Sequence, residues 1–173
     1  MKNAHEFPQV YERLGIDLRD LGCLMLNTEN PVAVWNEGEE YISPDPKKFW
    51  MKGFLDHWHV TVRYGFLPGV SADDIDYVLS GVPWPKDLKI SGLEVFPSPY
   101  EDERYDCVVA RVDDESLVEM NEALSVLPNV NTFVKYKAHI TIGYFVQDTW
   151  QTPVLKQNVR TLDLDYGHNL PRL

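Results

Sequence analysis

The sequence is poor in the residues on which several kinds of function depend. Cysteine occurs twice, at Cys23 and Cys107, each inside an apolar stretch. That favours two reduced, buried thiols over a disulfide framework or a thiolate zinc centre, with a single disulfide as the lesser alternative. No apolar run is long enough to cross a bilayer, and charged residues and a proline occupy Met1 to Val10, where a signal peptide would carry its apolar core. A cytoplasmic protein without a membrane partner is therefore expected. Positive charge is also scarce: 16 Lys and Arg against 27 Asp and Glu leave a net −11 at pH 7. Affinity for a long nucleic-acid backbone comes largely from cations displacing condensed counterions, so DNA and structured RNA are poor partners. A small nucleotide with one or two phosphates, held in a cleft by a few local cations and donors, remains compatible with the charge. Low-complexity segments and linker-like stretches are absent.

What is present describes one globular domain spanning residues 1–173, with 44% hydrophobic and 12% aromatic residues and enough chain for one substantial core. Leu21 to Leu26, Trp58 to Phe66, Leu88 to Phe96, Tyr105 to Val112, Thr132 to Val134, His139 to Val146 and Val159 to Leu164 read as strands. Gly38, Pro44 and Pro46 punctuate an acidic loop before Phe49 to Phe54. Ser71, followed by Asp73 and Asp74, reads as the N-cap of a helix through Ile75, Val78 and Leu79 that ends near Gly81 and Pro83. A second helix is expected over Asp113 to Leu127, with Leu117, Met120 and Leu124 on one face and Pro128 closing it. Strands and helices mix without strict alternation, which predicts an α+β fold rather than a doubly wound parallel sheet.

One internal echo stands out. His59-Val-Thr-Val-Arg-Tyr64 and His139-Ile-Thr-Ile-Gly-Tyr144 share His, Thr and Tyr and keep β-branched residues between them, at a separation of 80 residues. Five His and seven Thr would give about 0.2 occurrences of His-x-Thr by chance, so two copies with matching flanks are informative. Along a strand, side chains alternate between faces. His59 and Thr61 then emerge together, as do His139 and Thr141, while the β-branched residues turn into the core. Two facing lobes, each delivering an imidazole and a hydroxyl, are the natural inference. Such a set suits phosphodiester cleavage without metal. A neutral imidazole takes the proton of the attacking oxygen, an imidazolium protonates the departing one, and the threonines donate to the non-bridging oxygens.

The paired tetrads resemble those of the 2H phosphoesterase superfamily, whose members have a two-lobed α+β fold with pseudo-twofold related antiparallel sheets flanked by helices. They act on 2′,3′-cyclic phosphates, 2′-5′ linkages or cyclic oligonucleotides. Tyr105-Asp106, Asn121-Glu122-Ala123-Leu124, Phe133, Tyr136 and Ala138-His139 further resemble the phage-encoded branch, which includes anti-CBASS phosphodiesterases that degrade cyclic nucleotide alarm signals. The resemblance runs from Leu21 to about Trp150. It implies His59, Thr61, His139 and Thr141 as catalytic residues, no cofactor, a cyclic oligonucleotide substrate and, for a phage-encoded chain, the host cytoplasm. After the tetrads the copies diverge: strand parity sets Arg63 on the catalytic face, where the second copy has Gly143, so Arg63 is expected to bind phosphate on one side only.

Further expectations follow by parity and position. Lys137 shares the face of His139 and is a candidate substrate contact, balanced against a solvated edge lysine. Trp150 is a candidate for stacking on a nucleobase, balanced against a structural role. Tyr64 and Tyr144 should face the core if the strands stay regular. His57 shares the face of His59 and invites a metal reading, but His139 has no matching His or carboxylate, so no metal is expected. Processing of a 2′,3′-cyclic phosphate or 2′-5′ RNA linkage is the alternative activity. A nucleotide-binding module without turnover is the alternative of another class, and it would not need both an acid and a base. No motif sets an oligomeric state.

Overall fold

The computed structural model describes residues 21–34, 58–97, 105–130, 135–147 and 150–165. The acidic loop, Phe49 to Phe54, His57 and the strand expected at Thr132 to Val134 lie outside them. The main strands are β1 (Gly22–Thr28), β3 (Trp58–Phe66), β4 (Asp87–Pro97), β5 (Tyr105–Asp113), β6 (His139–Val146) and β8 (Asn158–Asp165). Each coincides with an expected strand to within a few residues. They close into one antiparallel barrel in the order β1-β3-β6-β5-β4-β8, rather than forming two separate sheets. Two short segments not anticipated from sequence, β2 (Val32–Val34) and β7 (Val154–Leu155), pair as a separate ribbon.

Helix α1 (Ala72–Val78) begins at Ser71, whose hydroxyl accepts from the Asp74 amide while the Asp74 carboxylate accepts from the Ser71 amide. This reciprocal cap satisfies two amides that the first helical turn leaves open. Helix α2 (Glu115–Ala123) is capped by Asp114 and tightens into a 3₁₀ turn over Leu124–Val126. Among the described residues, two helices on a predominantly antiparallel barrel make the class α+β, as expected.

Alternation along the strands explains the core. Leu24 and Leu26 of β1, Val60 and Val62 of β3, Val108 and Ala110 of β5, and Ile140 and Ile142 of β6 are buried in one cluster with Ile75, Leu79, Leu117, Met120 and Leu124. Each such aliphatic side chain contributes about 1.5–3 kcal/mol by leaving water.

Two irregularities interrupt the alternation at matching places. On β3, Thr61 pairs with Met25 but Arg63 pairs with Leu24, so Val62 is an extra residue opposite β1. On β6, Thr141 pairs with Val109 but Gly143 pairs with Val108, so Ile142 is an extra residue opposite β5. A bulge therefore follows the threonine of each repeat. Such a bulge sends two successive residues to one side and shifts the phase of everything beyond it. Asn121 of α2 supports the first bulge by donating from Nδ2 to the Val62 carbonyl (2.7 Å).

Beyond this bulge, Gly65 has φ +100° and lies against the chain segment that follows α2. The Val130 amide donates to the Gly65 carbonyl at 2.8 Å and the Leu67 amide to the Pro128 carbonyl at 3.0 Å. A Cβ on Gly65 would strike the Val130 carbonyl oxygen, in a left-handed conformation that already disfavours side chains. Gly65→Ala should therefore cost about 1–3 kcal/mol, read as a lower urea midpoint with an unchanged slope; an unshifted midpoint would contradict this account of the contact.

Candidate active site

The two repeats meet where β3 and β6 pair. The registered pair is Val60↔Ile140, and both side chains are fully buried. An antiparallel ladder through that pair sets Thr141 opposite His59 and His139 opposite Thr61, with all four half-buried on the face away from the core. His59 and His139 are then diagonal neighbours, a relation that sets residues roughly 7–8 Å apart, with their Cβ atoms somewhat closer. That span can hold a tetrahedral phosphate between two imidazoles.

The outer strands extend this face. Asn27 of β1 is the ladder partner of His59 and Met25 that of Thr61. On the other side Arg111 of β5 is the partner of His139 and Val109 that of Thr141. The two ladders match position for position, but the residue beside each histidine differs: a neutral amide beside His59, a guanidinium beside His139. Arg111 was not apparent as a site residue from sequence, because its place depends on the β5–β6 register, which no local pattern encodes.

His139 is held in a defined state. Its Nδ1 lies 2.8 Å from the Lys137 carbonyl oxygen, which can only accept, so Nδ1 carries the proton. Burial lowers the imidazole's pKa as the leading influence, with Arg111 acting in the same direction, against the Lys137 carbonyl and Glu94, which raise it. The neutral Nδ1–H tautomer results, leaving the Nε2 lone pair available. Phe96 meets the ring edge-on, with centroids 5.1 Å apart. Lys137 also reaches Glu94, Nζ to Oε1 3.7 Å, so its side chain lies with the group around His139.

Arg63 departs from the expected parity. The bulge at Val62 turns it to the core side, where it is 7% exposed. Nη1 donates to the Asn121 carbonyl (3.1 Å) and Nη2 to Asn129 Oδ1 (2.9 Å). It ties β3 to α2 and to the segment after it, and it does not join the histidines. In the second repeat Gly143 occupies the corresponding position and makes no such demand for space.

The same shift turns Tyr64 and Tyr144 toward the histidine face, contrary to the core placement that regular strands would give. Tyr64 is the ladder partner of Cys23 and Tyr144 that of Cys107, and all four are half-buried. Burial pushes the Cys107 thiol up to about 12, against hydrogen bonds from Tyr144 and Thr141, so this thiol is protonated at neutral pH and unsuited to be a nucleophile. Both cysteines are free. Tyr136, a residue of the approach to the second motif, donates to the Thr61 carbonyl of the first at 2.8 Å; its burial holds the phenol protonated.

Trp150 is committed to a structural contact. Its Nε1 donates to Asp106 Oδ2 at 2.8 Å, and its ring lies 6.1 Å from that of the buried Phe145. Among the described residues no three His, Cys, Asp or Glu side chains gather as metal ligands, and no helix is long and apolar enough to cross a membrane.

No family model matches the sequence, and no curated protein matches it. Among solved structures the chain is similar to Usb1 of Kluyveromyces marxianus, at 9% identity and a TM-score of 0.38, covering 75% of this chain and 72% of that one.

The lowered pKa of His139 has a measurable consequence. An unfolded histidine takes up a proton near pH 6.5 and the folded one only at lower pH, so the unfolded state binds more protons in that window. Stability should fall as pH drops below about 6.5 and level off below the folded value. In His139→Gln this part of the slope should vanish, as read from urea unfolding between about pH 5 and pH 7.5; an unchanged slope would mean that His139 titrates normally.

Proposed function

We propose that this chain is a metal-independent phosphodiesterase acting on a small nucleotide, with a cyclic oligonucleotide signal of the anti-CBASS kind as its substrate. The observation that supports this most directly is the pairing of the two His-x-Thr strands through Val60↔Ile140, with the imidazoles and hydroxyls on the opposite side from the core. In this reading the two repeats are two lobes around one phosphate.

The hydrogen bond of His139 to the Lys137 carbonyl supports one distribution of roles. His139 Nε2 accepts the proton of the attacking oxygen, a water or a neighbouring ribose hydroxyl, as that oxygen bonds to phosphorus. The phosphorus–oxygen bond to the departing ribose breaks, and His59, as imidazolium, protonates the leaving oxygen. Exchange with solvent restores both histidines. Thr61 and Thr141 donate to the non-bridging oxygens as charge grows on them. Lys137 adds a local cation, while the contacts of Trp150 with Asp106 and the buried Phe145 belong to the packing on the core side.

Substrate size follows from charge. At −11 the protein repels an extended polyanion in proportion to the phosphates that approach it, whereas a cyclic di- or trinucleotide brings two or three to a few local donors.

His59→Ala and His139→Ala should each lower turnover by about 10²-fold or more with the fold retained. Activity should survive exhaustive EDTA treatment and follow a bell-shaped pH profile, its acid limb set by His139 and therefore below pH 6.5. A panel of cyclic dinucleotides, cyclic trinucleotides, 2′-5′ oligoadenylate, 2′,3′-cyclic mononucleotides and long RNA identifies the substrate. Loss with EDTA and rescue by zinc would establish the metal reading instead. Faster cleavage of long RNA per bond would establish RNA end processing, and binding without turnover would establish the non-catalytic module.

A further inference from the structure

The geometry points to Arg111 as the phosphate-binding residue of this site, held in place by Glu94 and acting with Lys137 on the His139 side, opposite a neutral Asn27 on the His59 side. This assignment deepens the phosphodiesterase reading and rests on it for the identity of the anion.

The first support is positional. Both histidines have a flanking-strand partner at the same offset from the bulge, Asn27 for His59 and Arg111 for His139. The ladder partner of each imidazole is thus one point at which the two halves of the site differ in charge. Arg63, the cation that strand parity nominated, is instead turned to the core side by the bulge and engaged with Asn121 and Asn129.

The second support is the construction around Arg111. Glu94 Oε2 lies 3.0 Å from Arg111 Nη1, and Glu94 Oε1 lies 3.7 Å from Lys137 Nζ. The carboxylate is the more buried member, its side chain 27% exposed against 43% for Arg111 and 35% for Lys137. Glu94 therefore spaces two mutually repelling cations from the protein side while both remain open to solvent. The trio carries a formal +1 in a chain whose net charge is −11. A guanidinium has five N–H donors in a planar fork, so one side can engage Glu94 while another meets a non-bridging oxygen. Arg160, by contrast, is paired with Glu29 at 3.5 Å and is 74% exposed; it belongs to β8, away from the β3–β6 junction.

Arg111 thereby gives the site a direction. The anion is drawn to the side of the imidazole that accepts a proton, and the same positive charge favours the neutral state of that imidazole.

The test is a titration of inorganic phosphate at constant ionic strength, followed through the His139 ring resonances of the intact protein, with kinetics on the cleaved substrate alongside. In the wild-type protein the His139 signals should move and saturate. Arg111→Gln should weaken the apparent phosphate affinity about tenfold or more and raise KM by a similar factor. Arg111→Lys should recover part of the loss, and Arg160→Gln should leave the titration unchanged. Urea midpoints verify that each variant is folded, and the lysine variant keeps the charge should the glutamine variant fail to fold. Wild-type affinity in folded Arg111→Gln, or no response of His139 to phosphate in the wild type, would overturn the assignment. A wild-type response that Arg111→Gln weakens, in a protein that cleaves no phosphodiester, would sustain the anion site and defeat the phosphodiesterase reading.

Discussion

Everything at the candidate site depends on one antiparallel contact between the strands that carry the two repeats, through Val60↔Ile140. Both side chains are buried against the helices, so the hydrophobic effect fixes the phase of both strands together. A slip of one residue would expose Val60, Val62, Ile140 and Ile142 and bury both histidines and both threonines without partners. The core thus fixes what stands on the opposite face: the residues that drive packing and the histidines and threonines are alternate members of the same strands.

The bulges act in the other direction, by breaking the alternation where it is no longer wanted. After each threonine two successive residues face the core, and the tyrosine beyond returns to the site face. The first bulge is supported by a hydrogen bond from the Asn121 side chain to the Val62 carbonyl and by Arg63, whose guanidinium crosses to α2. Tyr136 then joins the approach to the second motif to the Thr61 carbonyl of the first. These links join the two halves around the site by hydrogen bonds as well as by packing, and a fixed separation of imidazoles is what an acid and a base acting on one phosphate require.

Electrostatics gives the near-symmetric frame a polarity. The ladder partners of the two histidines are Asn27 and Arg111, and the Glu94 carboxylate lies beside Arg111 and Lys137. An acidic protein that binds a small anion needs its cations local and oriented, because its distant charges oppose the ligand and are screened beyond about 8–10 Å. A guanidinium and an ammonium spaced by one half-buried carboxylate meet that requirement.

The sequence by itself determined the strands of the repeats, the caps and buried faces of both helices, and the side on which His59, Thr61, His139 and Thr141 stand, since all of these follow from local periodicity and capping chemistry. Val60, Ile140, Leu117 and Met120 were legible as core for the same reason. Arg63, Tyr64 and Tyr144 were misplaced because parity counting assumes an unbroken pleat, and the two bulges depend on pairing with β1 and β5 and on Asn121, nearly sixty residues away. Arg111 and Glu94 were not legible at all: strand register between segments distant in sequence decides who stands beside His139, and only the closed sheet fixes that register. Local periodicity set the two histidines and two threonines on one face of their strands, while the tertiary pairing chose the charge that stands beside them.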